Sequence, residues 1–382
     1  MTEPQWPLWG SEHPDAIPPE ILSCPQCGQP VAPGAAFCEA CGATLNAAQA
    51  VATPQLPTPS DTSTQTRRLG SRASEVVSCA ACGGTIDSDG YCQICGAKAP
   101  SARDHYSESP AEWVGGVCDR GLRHSRNEDA MALWSQGSTA VLVVCDGVSS
   151  STDPDAAATT AATTLRDQLV AAVAKLSADD DADTVLAKAF VEASQSANQA
   201  VIAITDPDST NAPSATLAAA VVREDWVHFA NLGDSRIYLL GDDRQELLSL
   251  DDSMAQAFIE QGMARSEAES LPRAHAITKW LGRDALDVEP RVGSAQITTP
   301  GWVLVCSDGL WNYASTPAQL YGQLTSAPDQ SSPVAVAEAL VAWANEQGGH
   351  DNVTVALARV VPLEAASNLG ITDDESSPEG EG

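Results

Sequence analysis

Short apolar runs alternate with longer Ala-rich segments between residues 113 and 362. The apolar runs have the length and composition of strands, and turn-forming polar residues separate them. They cover residues 140–145, 226–230, 237–240, 302–306 and 353–360. The Ala-rich segments carry apolar residues at helical spacing, which predicts helices over 155–176, 182–204 and 333–346. Asp153, immediately before Pro154, is the predicted N-cap of the first helix.

The order of these elements predicts an α+β fold. Residues 226–240 place Gly233 and Asp234 between two strand-like runs, which predicts a β-hairpin. Consecutive hairpins favour an antiparallel sheet with helices packed on its outer faces. Periodicity alone takes the architecture no further.

The remaining segments lack this pattern and differ from one another in composition. Residues 1–22 contain five prolines and predict a disordered leader, whereas the polar segments 46–75 and 99–111 predict linkers. Residues 363–382 form an acidic tail whose simplest role is solubility. Two small cysteine-containing modules, at 23–45 and 76–98, are therefore expected before a larger domain at 112–362.

The charge of the chain restricts its partners and its location. The 382 residues include 20 basic and 51 acidic side chains, a formal charge of −31, which opposes binding to nucleic acid or an anionic membrane surface. No run of about 18 apolar residues predicts a membrane span, and the N-terminus lacks the pattern of a signal peptide. We therefore expect a cytoplasmic protein whose cysteines bind metal rather than form disulfides.

Eight of the 11 cysteines form two quartets of closely spaced pairs. They are Cys24, Cys27, Cys38 and Cys41, followed by Cys79, Cys82, Cys92 and Cys95. Four thiolates in two Cys-x-x-Cys pairs suit a tetrahedral zinc ion. The segments resemble zinc ribbons, which implies two structural Zn²⁺ ions and folding that depends on them. Spacing leaves open whether each quartet binds its own ion or the pairs cross.

The role of these ribbons is a separate question. Between Cys24 and Cys95 there are three basic residues and five acidic ones, which argues against nucleic-acid binding. A protein-docking module and an inert spacer both stay open, with docking favoured.

Acidic residues follow or precede the strand-like runs. Asp146-Gly147 and Asp308-Gly309 each end an apolar run, and further acidic turns contain Glu128, Asp129 and Asp351. A single Asp-Gly would indicate an ordinary turn. Oxygen ligands delivered by several strand ends instead suit a hard cation such as Mg²⁺ or Mn²⁺.

Six motifs in residues 113–362 resemble those of the metal-dependent serine/threonine protein phosphatases of the type 2C family. They are 119–129 (DRGLRHSRNED), 144–147 (VCDG), 233–236 (GDSR), 278–282 (TKWLG), 306–310 (CSDGL) and 349–354 (GHDNVT). The resemblance implies a β-sandwich of two antiparallel sheets flanked by helices. It also implies a binuclear Mn²⁺/Mg²⁺ centre in a cleft at one end.

The resemblance assigns roles to particular residues. Asp146 would bridge the two ions and the Gly147 carbonyl would bind one of them, while Asp308 and Asp351 would bind the other. Glu128 and Asp129 would act largely through water. Asp234 would serve a weaker third site or shape its turn.

The implied reaction is hydrolysis by an activated water rather than by a protein nucleophile. Two close cations make hydroxide available near neutral pH and neutralise phosphoryl charge. No Cys-x5-Arg signature is present, and Cys145 is expected to be inert because an apolar strand surrounds it. Cys118 and Cys306 are interpreted in the same way, as small buried apolar residues.

Two positions depart from the family pattern. His124 occupies the position where many members have an Arg that clamps phosphate, so we expect His124 to contact phosphate when protonated, with Arg123 or Arg126 as alternatives. Val148 stands where eukaryotic members have a His proposed as general acid. Both departures bear on rate and pH profile more than on reaction class.

Two functions from different classes follow from these observations. The first is a protein phosphatase acting on phosphorylated proteins, with the ribbons setting its location or partner; the second is a catalytically weak phosphoprotein adaptor that docks through the ribbons. The linker adds Thr64 and Thr66 beside two arginines, which resemble kinase-substrate tails. A forkhead-associated-domain protein or a kinase is therefore a further candidate partner, through the linker or the ribbons.

Overall fold

The computed structural model describes residues 101–177, 179–271 and 273–363, and before them 22–23, 30–31, 78, 82–87, 90–96 and 99. The chain divides into two compact units, Met1–Glu75 and Val76–Gly382. In the first unit, β1 (Leu22–Ser23) pairs antiparallel with β2 (Pro30–Val31). Several sequence predictions lie outside the described residues: the leader up to residue 21, the linker at 46–75 with Thr64 and Thr66, the acidic tail beyond Leu363, and the cysteines Cys24, Cys27, Cys38, Cys41 and Cys79.

Six antiparallel strands of the second unit form one sheet. They are β3 (His105–Ala111), β4 (Val114–Asp119), β10 (Arg236–Gly241), β11 (Gln245–Leu247), β14 (Gly301–Cys306) and β15 (Val353–Val360). Their order across the sheet is β11-β10-β14-β15-β4-β3.

Five further antiparallel strands form a second sheet in the order β13-β9-β8-β6-β5. They are β5 (Ala130–Gln136), β6 (Thr139–Cys145), β8 (Leu217–Arg223), β9 (Trp226–Leu232) and β13 (Arg291–Gln296). A two-stranded ribbon of β7 (Ser214–Ala215) and β12 (Leu281–Gly282) lies beside it.

Seven helices accompany the two sheets in the described part of the chain. They are α1 (Pro154–Val173), α2 (Ala182–Ile204), α3 (Met254–Glu260), α4 (Arg265–Ala268), α5 (Asp308–Trp311), α6 (Pro317–Thr325) and α7 (Pro333–Glu346). The three long helices predicted from sequence are confirmed, with the first ending at Val173 rather than at residue 176. Within the described residues, none of these helices combines the length and apolar character needed to cross a bilayer.

Alternating residues of the strands separate the cores. Val141 and Val143 of β6 face the Ala-rich surfaces of α1 and α2. Leu142 and Val144 face the other way and pack against residues of the six-stranded sheet. A third core lies between the six-stranded sheet and α6 and α7. The second unit therefore contains a β-sandwich of two antiparallel sheets flanked by helices, as the family resemblance implied.

The predicted β-hairpin at 226–240 is wrong. β9 pairs with β8 and β13 in the five-stranded sheet, whereas β10 pairs with β14 and β11 in the other sheet. The chain crosses between the sheets at Gly233, whose φ of +99° is a conformation that glycine adopts readily. A tight turn between two strands has the same local sequence whether the strands pair or change sheets.

The predicted linker at 99–111 is wrong from His105 onwards, because β3 forms the edge of the six-stranded sheet and pairs with β4. Its sequence, HYSESPA, gives no strand signal because its side chains are largely polar and partly exposed. The folded domain therefore begins before residue 112.

Asp153 occupies the predicted N-cap position of α1, but its side chain does not cap the helix. Asp153 immediately precedes the helix, but its φ of 48° is left-handed and its side chain makes no capping hydrogen bond. N-cap residues normally have extended backbone angles that aim the side chain at the first N–H groups. Pro154, at the start of the helix, has no N–H to satisfy.

Candidate metal centre

Five aspartates lie where strands begin or end at one edge of the sandwich. They are Asp129, Asp146, Asp234, Asp308 and Asp351. The strand register accounts for their convergence, because Ala130 at the start of β5 lies opposite Cys145 at the end of β6. In the other sheet, Cys306 at the end of β14 lies opposite both Arg236 and Val355. Each aspartate is within four residues of one of these positions.

The carboxylates perturb one another's protonation. Burial raises the pKa of Asp146 well above its usual range, and the negative charges of Asp129, Asp308, Asp351 and Asp234 raise it further. The pKa of Asp308 is also raised well above its usual range, through burial first and then through the charges of Asp351, Asp234 and Asp129. Asp146 and Asp308 also remain partly exposed, so the cluster opens to solvent. Together these residues form one acidic cluster, with Asp146 influenced by all the others.

Two buried oxygens of the acidic cluster, Oδ1 of Asp129 and Oδ1 of Asp308, have no hydrogen-bond partner. The second oxygen of Asp129 accepts hydrogen bonds from Ser307 Oγ and Thr354 Oγ1, both at 2.7 Å. That of Asp308 accepts one from Asn312 Nδ2 at 3.0 Å. Buried carboxylate oxygens without partners are costly unless a cation compensates them. The donor set therefore fits a hard divalent cation, which prefers oxygen ligands.

The carboxylate oxygens are not gathered around a single point. In the described part of the chain, no three acidic or imidazole groups have ligand atoms that all lie within 4.8 Å of one another. Ligands of a single small cation would be that close. Ligands shared between two cations about 3.5–4 Å apart spread over a wider area.

Glu128 is close to the cluster but already has protein partners. Arg126 Nε donates to its Oε1 at 2.8 Å, and Ser149 Oγ donates to its Oε2. These contacts support an indirect role for Glu128 through water. Sequence reasoning did not identify Ser149, Ser307 or Thr354 as partners of the acidic residues.

The imidazole of His124 faces the acidic cluster. Its Nε2 is 3.2 Å from Asp351 Oδ1, and its Nδ1 is 3.9 Å from Glu128 Oε2. Of the two alternatives, Arg123 is exposed and Arg126 is engaged by Glu128. Phosphate contact by His124 stays a prediction, which its position beside Asp351 supports.

Asn352 holds the loop that carries these residues. Its Oδ1 accepts a hydrogen bond from Glu128 N at 2.7 Å, and its Nδ2 donates to the carbonyls of Arg120 and Arg126 at 2.7 and 3.1 Å. Asn352 is almost completely buried, so all three bonds are shielded from water. The residue therefore fixes the 120–128 loop against the start of β15.

We expect Asn352→Ala to destabilise the protein by about 2–4 kcal/mol, because it leaves the buried Glu128 N–H and two carbonyls unpaired. Urea unfolding measures the change. Asn345→Ala is the matched control, since it removes one hydrogen bond, to Asp119, and should cost less. Equal losses for the two variants would contradict a special role for Asn352.

The glycines after Asp146 and Asp308 are required by close backbone packing. A Cβ at Gly147 would lie 2.5 Å from the Pro154 carbonyl oxygen and 2.6 Å from that of Glu128. A Cβ at Gly309 would lie 1.9 Å from the Asn352 carbonyl oxygen. These glycines bring the acidic loops within reach of one another, a reason that the Asp-Gly pattern alone did not reveal.

Asp234 lies in the crossover between the sheets and is anchored from both sides. Trp311 Nε1 donates a hydrogen bond to the Asp234 carbonyl at 2.9 Å. The guanidinium carbon of Arg236 lies 3.5 Å from the centroid of the Trp311 ring. Arg236 forms a buried bidentate ion pair with Asp251. Burial, followed by the charge of Asp251, raises the pKa of Asp234 to about 7. These contacts support the interpretation that Asp234 shapes its turn, whereas its role in a weaker cation site stays a prediction.

A second candidate site lies in the cysteine module at 76–98. The ligand atoms of Cys82, Cys92 and Cys95 lie within 4.8 Å of one another. Hydrogen bonds from the backbone of Cys95 and then of Ile94 lower the pKa of the Cys92 thiol to about 6. Thiolates are the form that binds zinc. The three described thiols therefore fit three positions of a tetrahedral zinc site.

The remaining cysteines are buried and unreactive, as predicted. Cys118, Cys145 and Cys306 have no exposed surface. Burial raises the pKa of Cys118 to about 12 and raises those of Cys145 and Cys306 still further. Cys145 is thus no candidate nucleophile despite its position next to Asp146.

Comparison with known proteins gives two family matches. Residues 121–352 match the family model described as protein phosphatase 2C, and residues 24–96 match that described as double zinc ribbon. The serine/threonine phosphatase stp of Listeria innocua is 29% identical over 242 residues, which cover 63% of this chain and 92% of that protein. The serine/threonine protein phosphatase PstP of Mycobacterium tuberculosis is 31% identical over 247 residues, which cover 64% of this chain and 44% of that protein.

A solved structure shows the same fold. The crystal structure of the PPM Ser-Thr phosphatase MsPP from Mycobacterium smegmatis, in complex with cacodylate, aligns with a TM-score of 0.52 at 29% identity. The alignment covers 65% of this chain and 97% of that one. The match to the protein phosphatase 2C family model, over residues 121–352, includes all five aspartates of the acidic cluster.

Proposed function

Because this chain belongs to the protein phosphatase 2C family, we propose that it is a Mn²⁺- or Mg²⁺-dependent serine/threonine protein phosphatase whose substrates are phosphorylated proteins. The observation that carries this proposal is the acidic cluster, in which buried oxygens of Asp129 and Asp308 lack any partner. A phosphate monoester resists hydrolysis because its negative charge repels nucleophiles. When bound, two divalent cations would neutralise that charge and acidify a shared water.

The cluster suggests which residues would hold the cations. Asp146 is influenced by every other aspartate of the cluster, so it is the residue best placed to be shared between two ions, with the Gly147 carbonyl beside it. Asp308 and Asp351 come from adjacent strands of the other sheet and would hold one ion together. Glu128 and Asp129 would act largely through water. Asp234 would serve a weaker third site or shape its turn.

The chain's own residues would bind and orient the phosphoryl group. His124, beside Asp351, would contact the phosphate or supply a proton to the leaving alkoxide. Val148 offers no titratable group, and its N–H donates to the Ser214 carbonyl at 2.9 Å. With Cys145 buried, no protein nucleophile competes with water among these residues.

Phosphate release from a phosphothreonine peptide tests this function. We expect turnover with Mn²⁺ or Mg²⁺ and its loss when EDTA removes the metal. Comparison of the two metals decides which supports the faster rate. Negligible release under all three conditions would instead favour the adaptor function.

We propose that the cysteine modules bind Zn²⁺ through Cys24, Cys27, Cys38, Cys41, Cys79, Cys82, Cys92 and Cys95 and act as docking elements. The grouping of three thiols around Cys92 supports the second of these sites. The acidic net charge argues against nucleic acid as the docked partner. A phosphoprotein, a kinase or a forkhead-associated-domain protein stays a prediction.

We expect Cys92→Ser to lower bound zinc by about one ion per chain, because a hydroxyl is a poor zinc ligand compared with a thiolate. Turnover of p-nitrophenyl phosphate should stay within about two-fold of wild type, since the acidic cluster lies on strands of the sandwich. Elemental analysis and steady-state rates measure the two quantities. Unchanged zinc content would contradict the site.

A further inference from the structure

Arg103 lies in a polar turn just before β3 and binds the backbone of the acidic region. Its Nη2 donates to the Asp129 carbonyl at 2.7 Å, and its Nε is 3.4 Å from the Asn127 carbonyl. In return, Asn127 Nδ2 donates to the Arg103 carbonyl at 2.9 Å. The contact is thus reciprocal, and it fixes the turn that carries Glu128 and Asp129.

The same guanidinium also holds the first turns of α1. Its Nη1 donates to Thr159 Oγ1 at 2.5 Å, and its Nη2 is 3.4 Å from the Asp155 carbonyl. Thr159 Oγ1 in turn donates to that Asp155 carbonyl at 2.7 Å. Arg103 therefore connects the acidic turn with the beginning of a helix that follows it by 25 residues in the chain.

The two segments that Arg103 connects lie on either side of the Asp146-Gly147 loop. Gly147 packs against both connected segments, because a Cβ there would clash with the carbonyls of Pro154 and Glu128. The distance between these segments sets the space available to the Asp146-Gly147 loop. Any separation of α1 from the acidic turn would move Asp129 relative to Asp146.

Arg103 is itself held in place. Its N–H donates to Ser101 Oγ at 3.2 Å, and the next residue, Asp104, donates to the Ser101 carbonyl at 2.9 Å. Asp104 also accepts a hydrogen bond from Arg120 N at 2.7 Å. In the described part of the chain, the Arg103 guanidinium has no carboxylate within 4.0 Å. It donates its hydrogen bonds to three backbone carbonyls and one hydroxyl, all of them uncharged.

We propose that Arg103 is a positioning residue for the metal centre, which sets the separation of Asp129 and Asp146 and so the affinity for the divalent cation. The inference rests on the proposed function, since it assigns Arg103 to the same centre. Residues that orient ligands without binding the metal typically change its affinity by about 10–100-fold when they are removed.

Mn²⁺ binding to the full-length protein tests the proposal independently of catalysis. Free Mn²⁺ is followed by electron paramagnetic resonance during titration of wild type, Arg103→Gln and Arg103→Lys. We expect Arg103→Gln to weaken Mn²⁺ binding about 10-fold. Arg103→Lys should fall between Arg103→Gln and wild type, because an ammonium can keep one of the contacts but not the planar fork.

Arg244→Gln is the matched control. Arg244 also donates to a backbone carbonyl, that of Gln296 at 2.6 Å, but it lies beyond the end of β10 that is remote from Asp234. Its Mn²⁺ affinity should equal that of wild type. Thermal unfolding of each metal-free variant shows whether it is folded; if Arg103→Gln is not, Arg103→Lys decides by the same criteria.

Mn²⁺ affinities within two-fold of wild type for folded Arg103 variants would overturn the proposal, and so would lowered melting temperatures with unchanged Mn²⁺ affinity. If wild type binds Mn²⁺ but releases no phosphate from a phosphopeptide, the proposed function fails. The role of Arg103 is then still decided by the binding data.

Discussion

Asp146→Asn should lower the metal-dependent phosphatase rate at least about 100-fold, while the metal-free protein should become more stable to heat. The first effect follows because a ligand shared by two cations matters at least as much as the residues that orient ligands, whose loss costs about 10–100-fold. The second follows because the negative charges of four other aspartates disfavour the ionised form of Asp146. An amide removes that repulsion, and each kcal/mol gained raises the melting temperature by roughly 2–4 °C.

The opposite signs of these two effects make the test specific to a metal site. Phosphopeptide turnover with Mn²⁺ gives the rate, and thermal unfolding in EDTA gives the stability. Asp308→Asn should behave in the same way, whereas Asp243→Asn, an exposed aspartate of the β10–β11 turn, should change neither quantity. A variant that kept its Mn²⁺-dependent rate, or whose metal-free form melted at a lower temperature, would contradict this account of the acidic cluster.

The acidic cluster was predictable because its signal is local. An apolar strand leads to Asp-Gly at both Asp146 and Asp308, and antiparallel pairing places each strand end beside the start of a neighbouring strand, where Asp129 and Asp351 lie. The reason for glycine was not predictable. Gly309 is needed because the Asn352 carbonyl approaches it, and that contact joins residues 43 positions apart in the chain.

Features that depend on distant backbone groups could not be found from the sequence. Arg103 binds carbonyls and a hydroxyl that lie 24 to 56 residues away, and backbone carbonyls leave no trace in residue type. The edge strand β3 was not predicted either. Its side chains are mostly polar, and the contact that makes it a strand is with the backbone of β4. The crossover at Gly233 resembled a hairpin because the turn residues favour both.

The metal-free protein should lose stability as the pH rises from about 5 to about 8, and Mn²⁺ should reverse that trend. Burial raises the pKa of Asp129 to about 6, and that of Asp234 to about 7. Both values lie above the ordinary aspartate pKa of about 3.9 expected in the unfolded chain. The folded state therefore binds more protons, and this contribution to stability is complete below about pH 4 and disappears as the pH passes the folded values.

For Asp129 alone, the difference between a pKa of about 6 and the ordinary value corresponds to at most about 3 kcal/mol. Melting temperatures at pH 5 and pH 8, in EDTA and in Mn²⁺, measure the effect.

His105, whose pKa is raised by its hydrogen bond to Asp119 although burial opposes it, contributes with the same sign. Asp129→Asn should flatten the metal-free profile only in part, because the pKa values of Asp146, Asp234 and Asp308 are also raised and His105 contributes with the same sign. At pH 8 the cations occupy the place that protons take at pH 5, so Mn²⁺ should stabilise the protein more at pH 8. A metal-free melting temperature that rises from pH 5 to pH 8 would mean that these carboxylates are not held together in the folded protein.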